Sequence, residues 1–222
     1  MKTTEINITI NQSVKLQGTL NIPSGTESFV IFSHGSGSSR FSSRNRHVAG
    51  ILNKEKIATL LIDLLTKKED EVFENRFNIE LLTERLVSVT KQVHQFPELK
   101  NLPIGYFGAS TGAASALKAA AILNDTIEAI VSRGGRPDLA KSSLTNVKAP
   151  TLLIIGSLDE NVIELNKRAY SSLNCEKKIE IIEGATHLFE EPGKLDKVAE
   201  LATNWFKKHL YKIEVEKQTI NR

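Results

Sequence analysis

The chain alternates between two hydrophobic rhythms. Near its start, "TEINITI" and "VKLQGTLNIP" carry apolar residues at about every second position, with the turn-like "NQS" between them. This region reads as an antiparallel hairpin ending at Pro23. Beyond it, short and nearly continuous apolar runs occupy 28–34, 58–65, 103–108, 128–132, 151–156 and 178–184. Such runs suit strands buried on both faces, as in a parallel sheet. Helical spacing governs the segments between them, at 44–55, 78–96, 111–123, 161–173 and 192–210. In "NIELLTERLVSVTKQVHQF", for example, Ile79, Leu82, Leu86, Val89 and Val93 fall on one face. Pro192 is placed for the first turn of the last helix.

Strands alternating with helices in this way predict an α/β domain. Its mostly parallel central sheet starts with an N-terminal antiparallel hairpin and carries helices on both faces. One domain is expected over 1–222, with a core of about 14–210 and no segment long enough for a large cap. The stretch 133–149 is irregular, with room for a short helix. The charged "TKKEDEVFENR" reads as a solvated loop, and the polar end at 211–222 as a tail that frays or covers an edge.

Composition narrows the function classes. With 222 residues, 40% hydrophobic and 25% charged, the chain is an ordinary globular one. A net charge of +3, with basic and acidic residues mixed, argues against a nucleic-acid surface. Cys175 is the single cysteine, so no internal disulfide or thiolate metal site can form. There is no apolar leader and no membrane-length apolar run, which makes the cytoplasm the expected compartment and excludes a membrane partner.

Candidate chemistry gathers at strand ends, where open parallel sheets bind ligands. Gly108-Ala109-Ser110-Thr111-Gly112 matches G-x-S-x-G between an apolar run and a helix, the setting of a nucleophile elbow. A serine needs a base, and the base needs a carboxylate to orient it. Asp159 follows the run at 151–156 and His187 follows the last run, in the chain order Ser, Asp, His. Asp138 is the rival carboxylate. In "FSHGSGSSR", the Ser36 amide, with Gly37 as its rival, would join the Thr111 amide as an oxyanion hole. His34 reads as support for that loop. "GSGSS" lacks the Gly-Lys-Ser/Thr ending of a phosphate loop.

These residues make the chain resemble the α/β-hydrolase superfamily, and within it the small dienelactone-hydrolase-like proteins. "HGSGSSRFSSRNRHVA", "LPIGYFGASTGAA", "VSRGGRPDLA" and "CEKKIEIIEGATHLFEEPG" are similar to a bacterial branch of hydrolases, some joined to a phosphoribosyltransferase domain. The resemblance spans about 28–206. It implies Ser110 as nucleophile, Asp159 as acid and His187 as base. Dienelactone hydrolases proper use cysteine where this chain has Ser110, so their lactone is not carried over, and partnership with a phosphoribosyltransferase is speculative.

The expected function is therefore a serine carboxylesterase-type hydrolase. It would cleave a small ester, thioester or lactone through an acyl-serine, with no cofactor and no metal. A binding or regulatory module on the same scaffold, and an acyltransferase with the same triad, are the alternatives. Arg40, Arg44, Arg133 and Arg136 follow strand ends near the cleft. They either pair with Asp63, Asp138 or Glu69, or bind an anionic group on the acyl substrate.

Overall fold

The computed structural model describes residues 1–211, so 212–222, most of the expected tail, lie outside the described residues. β1 (Lys2–Thr9) and β2 (Lys15–Ile22) form the N-terminal antiparallel hairpin. The Asn11 side chain shapes its turn by accepting from the Ser13 and Val14 amides, each at 3.0 Å. Six parallel strands follow: β3 (Ser28–Ser33), β4 (Ile57–Ile62), β5 (Ile104–Ala109), β6 (Ile127–Arg133), β7 (Thr151–Gly156) and β8 (Lys177–Ile182). The sheet order is β1-β2-β4-β3-β5-β6-β7-β8, with β2 joined antiparallel to β4.

Every residue of β3, β4, β5 and β7 is buried, which is why their runs are unbroken rather than alternating. Two helical layers cover the sheet. α1 (Ser43–Lys54) and α6 (Lys194–Leu210) bury Val30, Phe32, Phe107, Val131 and Ile154 on one face. On the other, α3 (Ile79–Val93), α4 (Thr111–Leu123) and α5 (Glu160–Ser172) cover Ile31, Tyr106, Ile130 and Leu153. Side chains on successive strand residues point to opposite faces, so each strand feeds both cores. This is the α/β-hydrolase architecture. No helix among the described residues is long and apolar enough to cross a membrane.

Two local readings are corrected. The charged stretch after β4 is not a plain loop. It contains α2 (Lys67–Asp70), closed by a capping box between Thr66 and Glu69, and a 3₁₀ turn at Phe73–Phe77. Pro192 lies ahead of α6 rather than in its first turn, because Gly193, at φ +77°, starts the helix. The irregular link at 133–149 does hold a short helix, a 3₁₀ segment at Pro137–Asn146 kinked at Lys141.

In chain order β3 leads to β4 on one side and β5 lies on its other side. α1 and α3 then lie on opposite faces, which leaves a crevice beyond the carboxyl ends of β3 and β5.

Candidate active site

Ser110 sits at the strained turn between β5 and α4, with φ 51° and ψ −123°, a region L-residues rarely occupy. Its two glycines answer to sterics. A Cβ on Gly108 would lie 2.5 Å from Ala113 Cα, and one on Gly112 would lie 2.2 Å from the Ser33 carbonyl oxygen. Backbone groups of neighbouring loops hold the turn. The Ser110 amide donates to the Arg133 carbonyl at 3.2 Å, and the Arg136 amide donates to the Ser110 carbonyl at 3.0 Å. Behind the turn, Ser33 and Ser115 hydroxyls meet at 2.8 Å, tying β3 to α4.

The loops after β7 and β8 supply the partners. His187 Nδ1 lies 2.6 Å from Asp159 Oδ2, and His187 Nε2 lies 3.3 Å from Ser110 Oγ. A carboxylate oxygen can only accept here, so Nδ1 carries the proton and Nε2 faces the serine as an acceptor. Asp159 occupies the N-cap position of α5 yet makes no capping bond with its side chain. Ordinarily an aspartate there would cap the helix; this one is committed to the imidazole. Asp138 is engaged elsewhere, taking two hydrogen bonds from Arg136 at 2.9 Å each. The two loops are stitched together, since the Gly184 amide donates to Ser157 Oγ at 2.8 Å. Thr186 and Glu191 brace the histidine side, with the Thr186 amide 3.1 Å from Glu191 Oε1.

The glycine-rich loop approaches the serine closely, for a Cβ on Gly35 would lie 3.0 Å from Ser110 Cβ. The Ser36 amide already has a partner: it donates to Thr111 Oγ1 at 2.8 Å. Nothing in the primary sequence signalled this contact, because the two residues are far apart in the chain. The Thr111 amide itself opens α4, at the positive end of the helix dipole.

His34 is fixed beneath this loop. Its Nε2 accepts from the Leu64 amide at 3.2 Å, so Nδ1 holds the proton and donates to the Gly35 carbonyl at 2.9 Å. Burial holds its pKa below the ordinary 6.5. The unfolded chain therefore takes up a proton near pH 6.5 that the folded chain refuses. This contribution to stability is complete above that pH and lost as pH falls below it. Between pH 7.5 and 5.5 the wild type should lose more stability than His34→Gln, as read by urea midpoints. Equal losses would refute a buried neutral imidazole.

Three of the four arginines meet a carboxylate. Arg40 is held by Asp63, through both its amide and its guanidinium, and also reaches Glu5. Arg136 forms the fork with Asp138. Arg44 reaches Glu190 at 2.6 Å. Arg133 is 4% exposed and, among the described residues, makes one hydrogen bond, to Asn45 Oδ1 at 3.2 Å.

A cavity of about 600 Å³ lies on the hairpin side of the glycine-rich loop. His34, Ser38, Arg40, Asp63 and Lys67 line it, and Ser110, Asp159 and His187 do not. The segment after β4 thus walls this cavity. Exposed apolar residues also follow several strand ends, among them Phe41, Phe73, Leu158 and Leu188. Periodicity marks buried apolar residues, so it passed over these. Among the described residues, no group of three or more His, Cys, Asp or Glu is placed to hold a metal ion.

A sequence model of the dienelactone hydrolase family matches residues 48–213. The chain belongs to the dienelactone hydrolase family. Another member, the dienelactone hydrolase from Anabaena variabilis, has a crystal structure 50% identical in sequence. It superposes with a TM-score of 0.90 over 94% of this chain and 98% of that one. Est1E from Butyrivibrio proteoclasticus, at 18% identity, shares the fold with a TM-score of 0.78 over 92% of this chain and 98% of its own. Two Mycobacterium tuberculosis proteins described as phosphoribosyl transferases are each 52% identical over 197 residues, covering 89% of this chain. The present chain spans only 44% of their length.

Proposed function

We propose that this dienelactone hydrolase family member is a serine hydrolase that cleaves a small carboxylic ester, thioester or lactone through an acyl-serine. The observation that carries the reading is the unbroken relay Asp159–His187–Ser110, at 2.6 and 3.3 Å, on a serine held at positive φ. His187 Nε2 takes the Ser110 proton as Oγ attacks the carbonyl carbon. Asp159 stabilises the imidazolium. The same Nε2 proton then goes to the leaving alcohol, thiol or hydroxyl as the tetrahedral intermediate collapses. Water, deprotonated by His187, attacks the acyl-serine and releases the acid. The 3.3 Å gap shortens when substrate arrives, as such contacts do. No step calls for a cofactor. Transfer of the acyl group to an acceptor other than water uses the same relay, and product analysis with added alcohols distinguishes it. Residence beside a phosphoribosyltransferase, as the longer relatives' description invites, is a matter for co-purification.

The oxyanion would rest on the amides of Thr111 and Ser36. In the resting site Thr111 Oγ1 holds the Ser36 amide, so the hydroxyl acts as a positioning group that gives up the amide to the oxyanion. Thr111→Val keeps the shape but removes this acceptor. It should lower kcat roughly tenfold with little change in KM, less than the ~10²–10³ of a lost oxyanion donor. Thr111→Ser should restore most of the rate. An unchanged kcat in Thr111→Val would overturn the positioning role.

Intact-mass measurement after treatment with a fluorophosphonate tests the whole reading. One adduct, mapped to Ser110, is expected. Folded protein that takes no adduct and turns over no ester would favour a binding module on this scaffold.

A further inference from the structure

The cavity on the hairpin side of the glycine-rich loop has no part in the proposed relay, yet three separate pieces of the chain build it. Asn7 and Gln17 are direct partners across the β1–β2 ladder, and Lys15 lies two residues before Gln17, so all three stand on one face of the hairpin. An outward hairpin face is ordinarily polar and open to water. Here the polar face looks into a space of about 600 Å³, walled also by residues 38–41 and by the segment 65–70. That volume suits a small metabolite.

Charges in the lining do not balance once their partners are assigned. Asp63 is held by the amide and guanidinium of Arg40, and Asp70 by the Arg76 fork at 2.9 Å per bond. Lys15 and Lys67 remain, and among the described residues neither meets a carboxylate. The side-chain amides of Asn7 and Gln17 also lack a hydrogen-bond partner among the described residues. Unpaired cations suit an anion. A carboxamide offers both donor and acceptor, which suits hydroxyl groups. The third element is apolar, since Phe41 is 59% exposed, with the Arg40 guanidinium 4.1 Å from its ring centroid, and the buried Leu65 adds an aliphatic wall. Such a surface packs against the C–H groups of a carbon skeleton and takes them out of water.

We propose that this cavity is a second ligand site, for a phosphorylated sugar or polyol. Lys15 and Lys67 receive the phosphate, Asn7 and Gln17 the hydroxyls, and Phe41 the carbon skeleton. The glycine-rich loop separates this compartment from the nucleophile. Gly35 of that loop lies against Ser110, while Ser38 and Arg40 of the same loop face the cavity. His34 lines the cavity as well, and the Ser38 amide donates to the Gly35 carbonyl at 3.1 Å, which keeps the loop closed on itself. The ligand is therefore not the group cleaved at Ser110, and the site stands apart from the hydrolase reading.

The test titrates glucose 6-phosphate, glycerol 3-phosphate, glucose and inorganic phosphate calorimetrically into the wild type, Lys15→Met, Lys67→Met and the double variant Asn7→Ala with Gln17→Ala. Lys68→Met, exposed and outside the cavity, is the control. All five positions are exposed, so the variants should fold, and thermal melting checks it. At least one of the two phosphorylated compounds should bind the wild type at a single site, with phosphate alone roughly tenfold weaker and glucose without measurable affinity. Each lysine substitution should weaken binding by roughly tenfold or more. The double carboxamide variant should lose affinity for the phosphorylated compound and keep its affinity for phosphate, and Lys68→Met should bind as the wild type does.

Failure of both phosphorylated compounds to bind, phosphate binding as tightly as they do, or an affinity indifferent to both lysines would overturn the site. Hydrolysis of an activated aryl ester is then followed with the bound compound present, and the ester KM should not change. A KM that rises in proportion to the compound's concentration would make the cavity the ester's own pocket and overturn a second site. If no ester is hydrolysed yet binding still depends on Lys15 and Lys67, the hydrolase reading fails and the ligand site stands.

Discussion

Ser110→Ala is expected to lower ester turnover by on the order of 10⁴–10⁶. The size of the effect follows from the proposed division of labour. With Oγ gone there is no atom to form the acyl-enzyme, and His187 and Asp159 have nothing to activate. What survives is the help that binding and oxyanion donors give to water. Stability should change little, since Oγ makes one hydrogen bond, to His187, and alanine is no worse than serine at φ 51°. The measurement is kcat/KM on an activated aryl ester, with thermal melting as the control for folding. A well-folded Ser110→Ala protein that keeps more than a few per cent of wild-type turnover would remove Ser110 as nucleophile. The fluorophosphonate adduct should then persist as well.

Asp159→Asn is the second large effect, with turnover expected to fall about 10⁴-fold. The replacement is nearly isosteric and should preserve the fold. Its consequence is in the tautomer. Asp159 can only accept, which holds the proton on His187 Nδ1 and leaves Nε2 open toward Ser110. An asparagine amide turned toward Nδ1 donates instead, moving the ring proton to Nε2. A protonated Nε2 cannot accept from the serine hydroxyl. Asp159→Ala should be less damaging per molecule in this one respect, because it imposes no wrong tautomer, but it also frees the ring. Turnover of Asp159→Asn within tenfold of wild type would show that another group orients His187. Asp138→Asn, which only disturbs the Arg136 fork, is the comparison that isolates this outcome.

The legibility of the fold followed from burial. β3, β4, β5 and β7 are covered on both faces, so any polar residue in them would need an internal partner, and few are present. Apolar runs of strand length were the natural trace of that constraint. Helices α1, α3, α5 and α6 were legible for the complementary reason, since each covers one face of the sheet and turns its polar side to water, whereas α4 is buried along most of its length and showed itself by its run of small residues. Where local rules failed, local competition explains it. Pro192 could have opened α6, but Gly193, in the left-handed region, takes the cap position and the helix begins at Lys194, two residues after the proline. The stretch after β4 is charged enough to look solvated, yet Glu69 is drawn inward by the Thr66 cap and by Arg85 at 2.5 Å.

At the site, Ser110, Asp159 and His187 could be named from strand ends because a parallel sheet carries all such ends to one edge. The arginines could not be sorted in the same way. Arg40, Arg44, Arg133 and Arg136 share residue type and position relative to strands, and they differ in whether a carboxylate reaches them through space. Glu190 and Asp63 are remote from their arginine partners in the chain, so no spacing rule announces the pairs.

Sequence by itself therefore determined the α/β-hydrolase architecture and the three strand ends that carry candidate chemistry, because hydrophobic period and glycine sterics act over a few residues. Tertiary structure alone decided the rest. It put Asp159 rather than Asp138 beside the imidazole, turned the Ser36 amide onto the Thr111 hydroxyl, and left Arg133 buried with no carboxylate against it among the described residues. Hydrogen bonds and ion pairs are settled within a few ångströms between residues the chain holds far apart, and that proximity exists only once the sheet is assembled.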